Sequence, residues 1–169
     1  SLESILLPAG LTAIGTSTFA VCDSLTEVTL PEGLLYLGEN VFDRCIELTT
    51  ITLPSTLGTI PRSAFSDCEK LENVDLSSVK TIEDYAFQRC TGLKTVKLSD
   101  RLEKMAHNAF PHAEEMENLQ YAEYDNAYYL GNEKNPYLVL FSAKDKEIPS
   151  CRVHESTKII AGEAFADCS

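Results

Sequence analysis

Apolar residues recur along this chain with a period too long for any single helix or strand. Phenylalanines fall at Phe19, Phe42, Phe65, Phe87 and Phe110, in steps of 23, 23, 22 and 23 residues, and Phe165 repeats the motif near the end. Cys22, Cys45, Cys68, Cys90 and Cys168 each follow a phenylalanine by three positions. The same spacing governs Leu25-x-x-Val28-x-Leu30, Leu48-x-x-Ile51-x-Leu53, Leu71-x-x-Val74-x-Leu76 and Leu93-x-x-Val96-x-Leu98. A third apolar series lies between them, as Leu11/Ile14, Leu34/Leu37, Leu57/Ile60, Val79/Ile82 and Leu102/Met105. A repeat of this length marks stacked units, each too small to bury its own apolar stripe.

Within a unit, Leu-x-x-Ile-x-Leu predicts a short strand whose Val/Ile and second Leu face one way and whose intervening residues face the other. Pro31 and Pro54 end that strand by removing a ladder donor. The spacing of three in Phe-x-x-Cys-x-x-Leu predicts a short helical or 3₁₀ turn crossing back over the sheet. Stacked units then give an α/β solenoid with a curved parallel sheet of about seven strands. The single step of 22 places a one-residue deletion in Ser77-Ser78-Val79, a connecting loop, where it leaves the side-chain alternation of the strands intact.

The period loosens at Met116, Leu119 and Tyr121 and then breaks. Counting back from Phe165 puts Ile148, Cys151 and Val153 in the next strand, which makes this repeat nine residues longer than its neighbours. Alternation at Tyr129 and Leu130, a polar turn over Gly131 to Asn135, and the run Tyr137 to Phe141 predict a β-hairpin insertion. The organisation expected is one domain over 1–169, with regular repeats in 1–121, a long irregular repeat in 122–147, and resumption over 148–169. Both ends fall at repeat boundaries and look like cuts through a longer array, so the isolated chain is expected to self-associate end to end or fray.

The LxxIxLP segments and the (A/V)FxxCxxL segments, such as Leu48 to Pro54 followed by Ala64 to Leu71, resemble the leucine-rich repeats of BspA-like proteins. The resemblance covers nearly the whole chain. It departs from the general leucine-rich pattern after the strand, where Gly10, Gly33 and Thr56 stand in place of a polar ladder. What it implies is a right-handed superhelix in a secreted or surface-attached bacterial protein. Its role there would be non-catalytic recognition or adhesion, binding a protein or glycan partner. A structural spacer that displays another domain is the alternative.

Composition narrows the function further. Hydrophobic residues make up 44% of the chain, enough for a core, and no apolar run approaches the ~20 residues of a membrane span. Fourteen Lys and Arg against 26 Asp and Glu leave a net charge of −12, which argues against binding nucleic acid or an anionic membrane through phosphate contacts. Neighbouring cysteines are close enough on distance alone for bridges, but equivalent residues at every coil have no preferred pairing, and a column of buried thiols is expected instead. His107, His112 and Glu115 are the one conceivable metal set, at variable repeat positions; no metal, cofactor or catalytic residue is expected. The residues interleaved between inward strand positions form the candidate partner-binding face: Glu27 and Thr29, Thr50 and Thr52, Asn73 and Asp75, Thr95 and Lys97, Asn118 and Gln120, and Arg152. The tyrosine-rich insertion offers further anchors, though most of its rings are expected to fill the space left by the missing Phe/Cys segment.

Overall fold

Each unit makes one turn of a three-sided coil in the computed structural model, which describes residues 2–106, 108–111, 120–147, 149–162 and 164–168. In chain order the strands of the regular coils are β1 (Ala13–Ile14), β2 (Glu27–Thr29), β3 (Tyr36–Leu37), β4 (Thr50–Thr52), β5 (Thr59–Ile60), β6 (Asn73–Leu76), β7 (Thr81–Ile82), β8 (Thr95–Leu98) and β9 (Lys104–Met105). The irregular repeat and the last coil add β10 (Ala122–Tyr124), β11 (Ala127–Leu130), β12 (Val139–Ala143) and β13 (Ile159–Ile160). On the first side of the coil β2, β4, β6 and β8 form a parallel sheet in strict repeat register, Val28 opposite Ile51 and Val74 opposite Val96. On the second side β1 pairs with β3, and β5, β7 and β9 form a narrower parallel ladder.

The third side carries the Phe/Cys segments, and it corrects the expected helical turns: no helix occurs among the described residues. Every second N–H there crosses to the next coil. Ser17, Phe19 and Val21 donate to the carbonyls of Glu39, Val41 and Asp43 at 2.9, 2.9 and 2.7 Å, and Asn40, Phe42 and Arg44 repeat the pattern one coil on. The intervening N–H groups close tight turns inside the coil, as in Cys22 to Phe19 and Cys45 to Phe42. Left-handed residues flank Phe19, Phe42, Phe65 and Phe87 to turn the amides outward, with φ of 55° at Ser17 and 60° at Val21, and 55° at Asn40 and 60° at Arg44. A helix would have kept those bonds within one coil. Helices also pack 8–10 Å apart, about twice the ~4.8 Å between strands. The turns match the strand pitch instead: Phe19, Phe42, Phe65, Phe87 and Phe110 stack in a file with centroids 5.4, 5.6, 5.3 and 4.6 Å apart.

The space between the three sides is filled by the inward positions of every coil. Leu25, Leu48, Leu71 and Leu93 are fully buried, as are Phe42, Phe65 and Phe87. Cys45, Cys68 and Cys90 lie beside them as free thiols, each donating to the phenylalanine carbonyl of the preceding coil: Phe19 at 3.1 Å, Phe42 at 3.2 Å and Phe65 at 3.0 Å. Burial pushes the Cys45 thiol up to about 12 and raises those of Cys68 and Cys90 as well. These are packing groups held by weak hydrogen bonds, Cys90 making a second, to the Gln88 carbonyl at 3.9 Å.

The main sheet has four strands among the described residues rather than the seven expected. The first coil touches it through Thr26 N–H to the Glu3 carbonyl at 3.3 Å, without regular pairing. At the other edge no single parallel strand follows β8 among the described residues. The Gln120 N–H reaches the Lys94 carbonyl at 2.7 Å, and the Leu98 N–H reaches the Gly131 carbonyl at 3.0 Å. The open end of a hairpin, β10 paired antiparallel with β11, thus straddles the edge of β8. Met116, Leu119 and Ile148, placed in strands by their spacing, lie outside the described residues. Tyr121 precedes β10, and Cys151 and Val153 belong to no strand.

The insertion contains the expected pairing of β11 with β12, and more. Asp125 and Asn126 turn β10 into β11, and buried Asn126 ties that turn to Asp145 through its side chain, donating to the carbonyl at 2.5 Å and accepting from the N–H at 2.8 Å. On its other side β12 pairs parallel with β13, Val139 opposite Ile159, so the hairpin re-enters the solenoid as a ladder strand. Gly131 sits where a Cβ would lie 2.1 Å from the Asn135 carbonyl oxygen, so no other residue fits the turn. Leu130, Leu138, Val139 and Ala161 join the main core, while Ala127, Tyr129, Leu140 and Ala164 form a small second one. Phe165, assigned to the file by its motif, packs with that second cluster and is only partly buried.

Candidate functional site

The face outside the four-stranded sheet is built by alternation alone. Burying Val28, Ile51, Val74 and Val96 forces their neighbours into solvent, and parallel register then aligns those neighbours in two columns. One column is Glu27, Thr50, Asn73 and Thr95; the other is Thr29, Thr52, Asp75 and Lys97. Most are exposed, with Thr95 half-buried. Polar groups pair along the columns at the coil spacing: Thr95 Oγ1 donates to Asn73 Oδ1 at 2.6 Å, and Lys97 Nζ meets Asp75 Oδ2 at 3.3 Å. Partial burial pushes the Asp75 carboxyl up, but hydrogen bonds from Ser77 and Lys97 and the Lys97 charge outweigh it and hold the group below its ordinary value.

Of the residues assigned to this face, the eight from Glu27 to Lys97 come together. Asn118 lies outside the described residues. Gln120 is exposed at the base of the β10/β11 hairpin, and Arg152 stands at the far turn, where its N–H bonds Asp125. Neither extends the columns, because among the described residues the parallel sheet ends at β8. His107, His112 and Glu115 also lie outside the described residues. His154 stacks on Tyr137 with centroids 3.9 Å apart, and its Nδ1 accepts the Ser156 N–H at 3.1 Å. No group of three or more His, Cys, Asp or Glu among the described residues is arranged to hold a metal.

The insertion divides its aromatic rings between two faces. Tyr129 is fully buried, its hydroxyl accepts the His154 N–H, and burial raises its pKa. Tyr124 and Tyr137 pack around it and His154. On the opposite face Tyr121 meets Tyr128 edge-on at 4.7 Å, and Lys144 Nζ lies 5.9 Å above the Tyr128 ring.

A second feature escapes the repeat pattern altogether. Beside the C-terminal ends of β6 and β8, a groove of about 740 Å³ opens between the coil loops and the turn of the insertion. The one-residue deletion at Ser77–Val79 and the polar turn after Gly131 are both visible in the sequence. That they meet across one groove is not, since they lie more than one repeat apart. Asn132 ties the turn to the end of β8: its amide donates to the Leu98 carbonyl and to Asp100 Oδ1, both at 2.9 Å.

The repeat geometry has a close counterpart among known families. A model described as the BspA type leucine rich repeat region matches residues 1–125 in six copies. The chain belongs to this family. Among solved structures, a leucine rich cell surface protein of Faecalibacterium prausnitzii matches this BspA-type chain with a TM-score of 0.65 and 26% identity, over 72% of the chain and 32% of its own length. The leucine-rich repeat protein of T. pallidum gives a TM-score of 0.61 and 30% identity, over 64% of this chain and 53% of its own. The pneumococcal vaccine antigen PcpA gives 0.52 and 25%, over 94% and 35%. The BspA-type chain therefore spans from about a third to about half of those proteins. No curated protein matches it. Among the described residues no helix is long and apolar enough to cross a membrane.

Proposed function

We propose that this BspA-type array is a non-catalytic recognition module of a surface-attached bacterial protein, and that it binds a protein or glycan partner through the outer columns of the β2-β4-β6-β8 sheet. The supporting observation is the division of labour within each strand. The inward positions hold only Val, Ile and Leu, whereas the outward ones change from coil to coil, through Glu27, Thr50, Asn73 and Thr95. Fold and surface chemistry are thereby separated, since the outward side chains can vary without disturbing the core. The face carries no aromatic anchor, so its affinity rests on many polar contacts and is modest. Similarity to a cell-surface protein and to a vaccine antigen supports a place on the bacterial exterior. The test is binding of the chain to an array of purified matrix proteins and host oligosaccharides, before and after replacing Glu27, Thr29, Thr50 and Thr52 together with alanine. Recognition requires at least one array ligand to be bound and then lost. Binding to none overturns this reading in favour of a spacer, and binding untouched by the replacement overturns the assignment of the strand face. That alternative draws support from the way Thr95–Asn73 and Lys97–Asp75 satisfy one another within the face.

A further inference from the structure

We infer that the N-terminal end of the strand face, a groove between the first two coils, is a docking site for a basic peptide segment of a partner protein. That segment sets a bulky apolar side chain among lysines or arginines. The inference rests on the reading of the outer columns as a recognition surface, and it names the end of that surface and the class of partner.

Uncompensated charge is the first observation. No Lys, Arg or His occurs in residues 1–43, which hold Glu3, Asp23, Glu27, Glu32, Glu39 and Asp43 and so carry −6 of the net −12. Farther along the array the charges cancel, as Lys94 meets Glu72 and Lys97 meets Asp75. The groove, of about 560 Å³, is lined by Glu27 and Glu32 and by no base. Neither carboxylate has an ion-pair partner among the described residues. The Ser55 N–H and hydroxyl donate to Glu32 Oε2 at 3.0 and 2.8 Å. These neutral donors fix Glu32 in place and leave its charge standing. A cleft lined by one sign of charge draws the opposite sign and repels its own.

An exposed apolar shelf is the second. The bond from the Thr26 N–H to the Glu3 carbonyl, 23 residues apart, holds the first coil in the register of the sheet. Leu6 thereby takes the outward station that Thr29, Thr52, Asp75 and Lys97 fill in later coils. It is 97% exposed and contributes nothing to the core. Leu7, Ala9 and Pro31 line the same groove beside it. An apolar shelf rimmed by polar groups is the surface a partner's side chain covers, and it supplies the anchor that the rest of the face lacks.

Together the two observations select the occupant. A second copy of this chain carries −12 and is repelled. An acidic or neutral saccharide brings no cation to Glu27 and Glu32, and a polyamine brings charge without a side chain to cover Leu6. A basic peptide brings both, and the aliphatic stems of its lysines and arginines can lie along the shelf while their heads reach the carboxylates.

The test uses the full chain and fluorescence polarisation against a set of labelled heptapeptides that place Leu, Phe or Tyr among Lys and Arg. Matched sets replace the bases with Gln or with Glu, or the apolar residue with Ser, and unlabelled spermine is added as a competitor. At least one basic-apolar peptide is expected to bind about tenfold or more tighter than its matched counterparts, and to weaken as salt rises. Leu6→Ser, and the double variant Glu27→Gln, Glu32→Gln, should each lose about tenfold in affinity, with circular dichroism showing the fold retained. Glu133→Gln, which removes a carboxylate from the other groove, should leave binding unchanged. No peptide bound, equal binding of the Gln or Ser sets, or displacement by spermine as effective as by the unlabelled peptide overturns the inference. Affinity retained in the folded variants, or lost equally in Glu133→Gln, overturns it as well. A matrix protein or oligosaccharide bound through the outer columns while every peptide fails sinks this inference alone. Failure of both experiments sinks the recognition reading with it.

Discussion

The file of phenylalanines makes a graded prediction about stability. Phe65 is fully buried and stacked on both sides, 5.6 Å from Phe42 and 5.3 Å from Phe87, with interplanar angles of 6° and 16°. Truncating a core Phe to Ala costs about 3–5 kcal/mol through lost transfer energy and the cavity left behind. Each ring contact adds about 0.5–1.5 kcal/mol beyond area burial, and Phe65 loses two of them. Phe65→Ala should therefore fall at the upper end, at about 4–5 kcal/mol, a large part of the stability of an ordinary domain. Phe110 stacks on Phe87 at 4.6 Å. Among the described residues it has that one ring contact, so Phe110→Ala should cost about 1 kcal/mol less. Phe165 lies outside the file and is partly exposed, so Phe165→Ala should cost about 1–2 kcal/mol. Urea unfolding followed by circular dichroism and tyrosine fluorescence measures the series, the chain having no tryptophan. Because repeat arrays can open in parts, amide exchange at Phe42 and Phe87 provides the local reading, and both should lose protection in Phe65→Ala. A cost below about 2 kcal/mol for Phe65→Ala, or an equal cost for Phe165→Ala, would refute the view that ring stacking between coils organises this side.

The remaining predictions concern the same side of the coil. The Cys45 thiol ionises at about 12 in the folded chain against an ordinary 9.0, so the unfolded state loses its proton first as pH rises. Its contribution to stability is complete below pH 9.0 and is lost as pH climbs towards 12. In that window Cys45→Ala should flatten the decline by about 1.4 kcal/mol per pH unit, and urea melts showing no change of slope would contradict the assignment. At Val21 a β-branched residue sits at φ 60° with its side chain largely in solvent. Val21→Gly should therefore raise stability by about 1 kcal/mol, and a thermal melt shifted downward would mean that the left-handed conformation carries no strain.

The inward positions were readable because a single rule, one apolar residue per coil at each station, repeats until chance is excluded. Val28, Ile51, Val74 and Val96 occupy the stations their spacing indicates. The Phe/Cys segments were misread as helical because spacing by three fits both a helical turn and a tight turn. What decides between them is the ~4.8 Å pitch imposed by the strands opposite, which no local pattern contains. The irregular repeat failed for a related reason. Ala122–Tyr124 is too short and too mixed in character to announce a strand, and it exists because Tyr128 and Tyr129 return to pair with it. Gln120 was accordingly placed in the outward columns when it belongs to the hairpin base. The file-breaking Phe165 shows the limit of motif matching: its Phe/Cys signature is intact, but in the coil before it the N–H that meets the Ala164 carbonyl, as that of Phe42 meets Ala64, belongs to Ala143, so no ring stands there to stack on.

The matching of pitch between strands and turns bears on where such a protein can hold a ligand. A perfectly regular array presents the same outline at every level, so it offers columns but no fixed register along its axis. A ligand spanning several coils can slide on such a surface unless something marks a position. Here two departures from regularity do so, the residue missing from Ser77–Val79 and the residues added between β9 and β13, and both border the same groove. The deletion shortens one loop while the insertion raises a wall opposite it, locked by Asn132. The defects in the repeat are thus the places where shape specificity can arise, while the regular coils supply the stability that lets the defects persist.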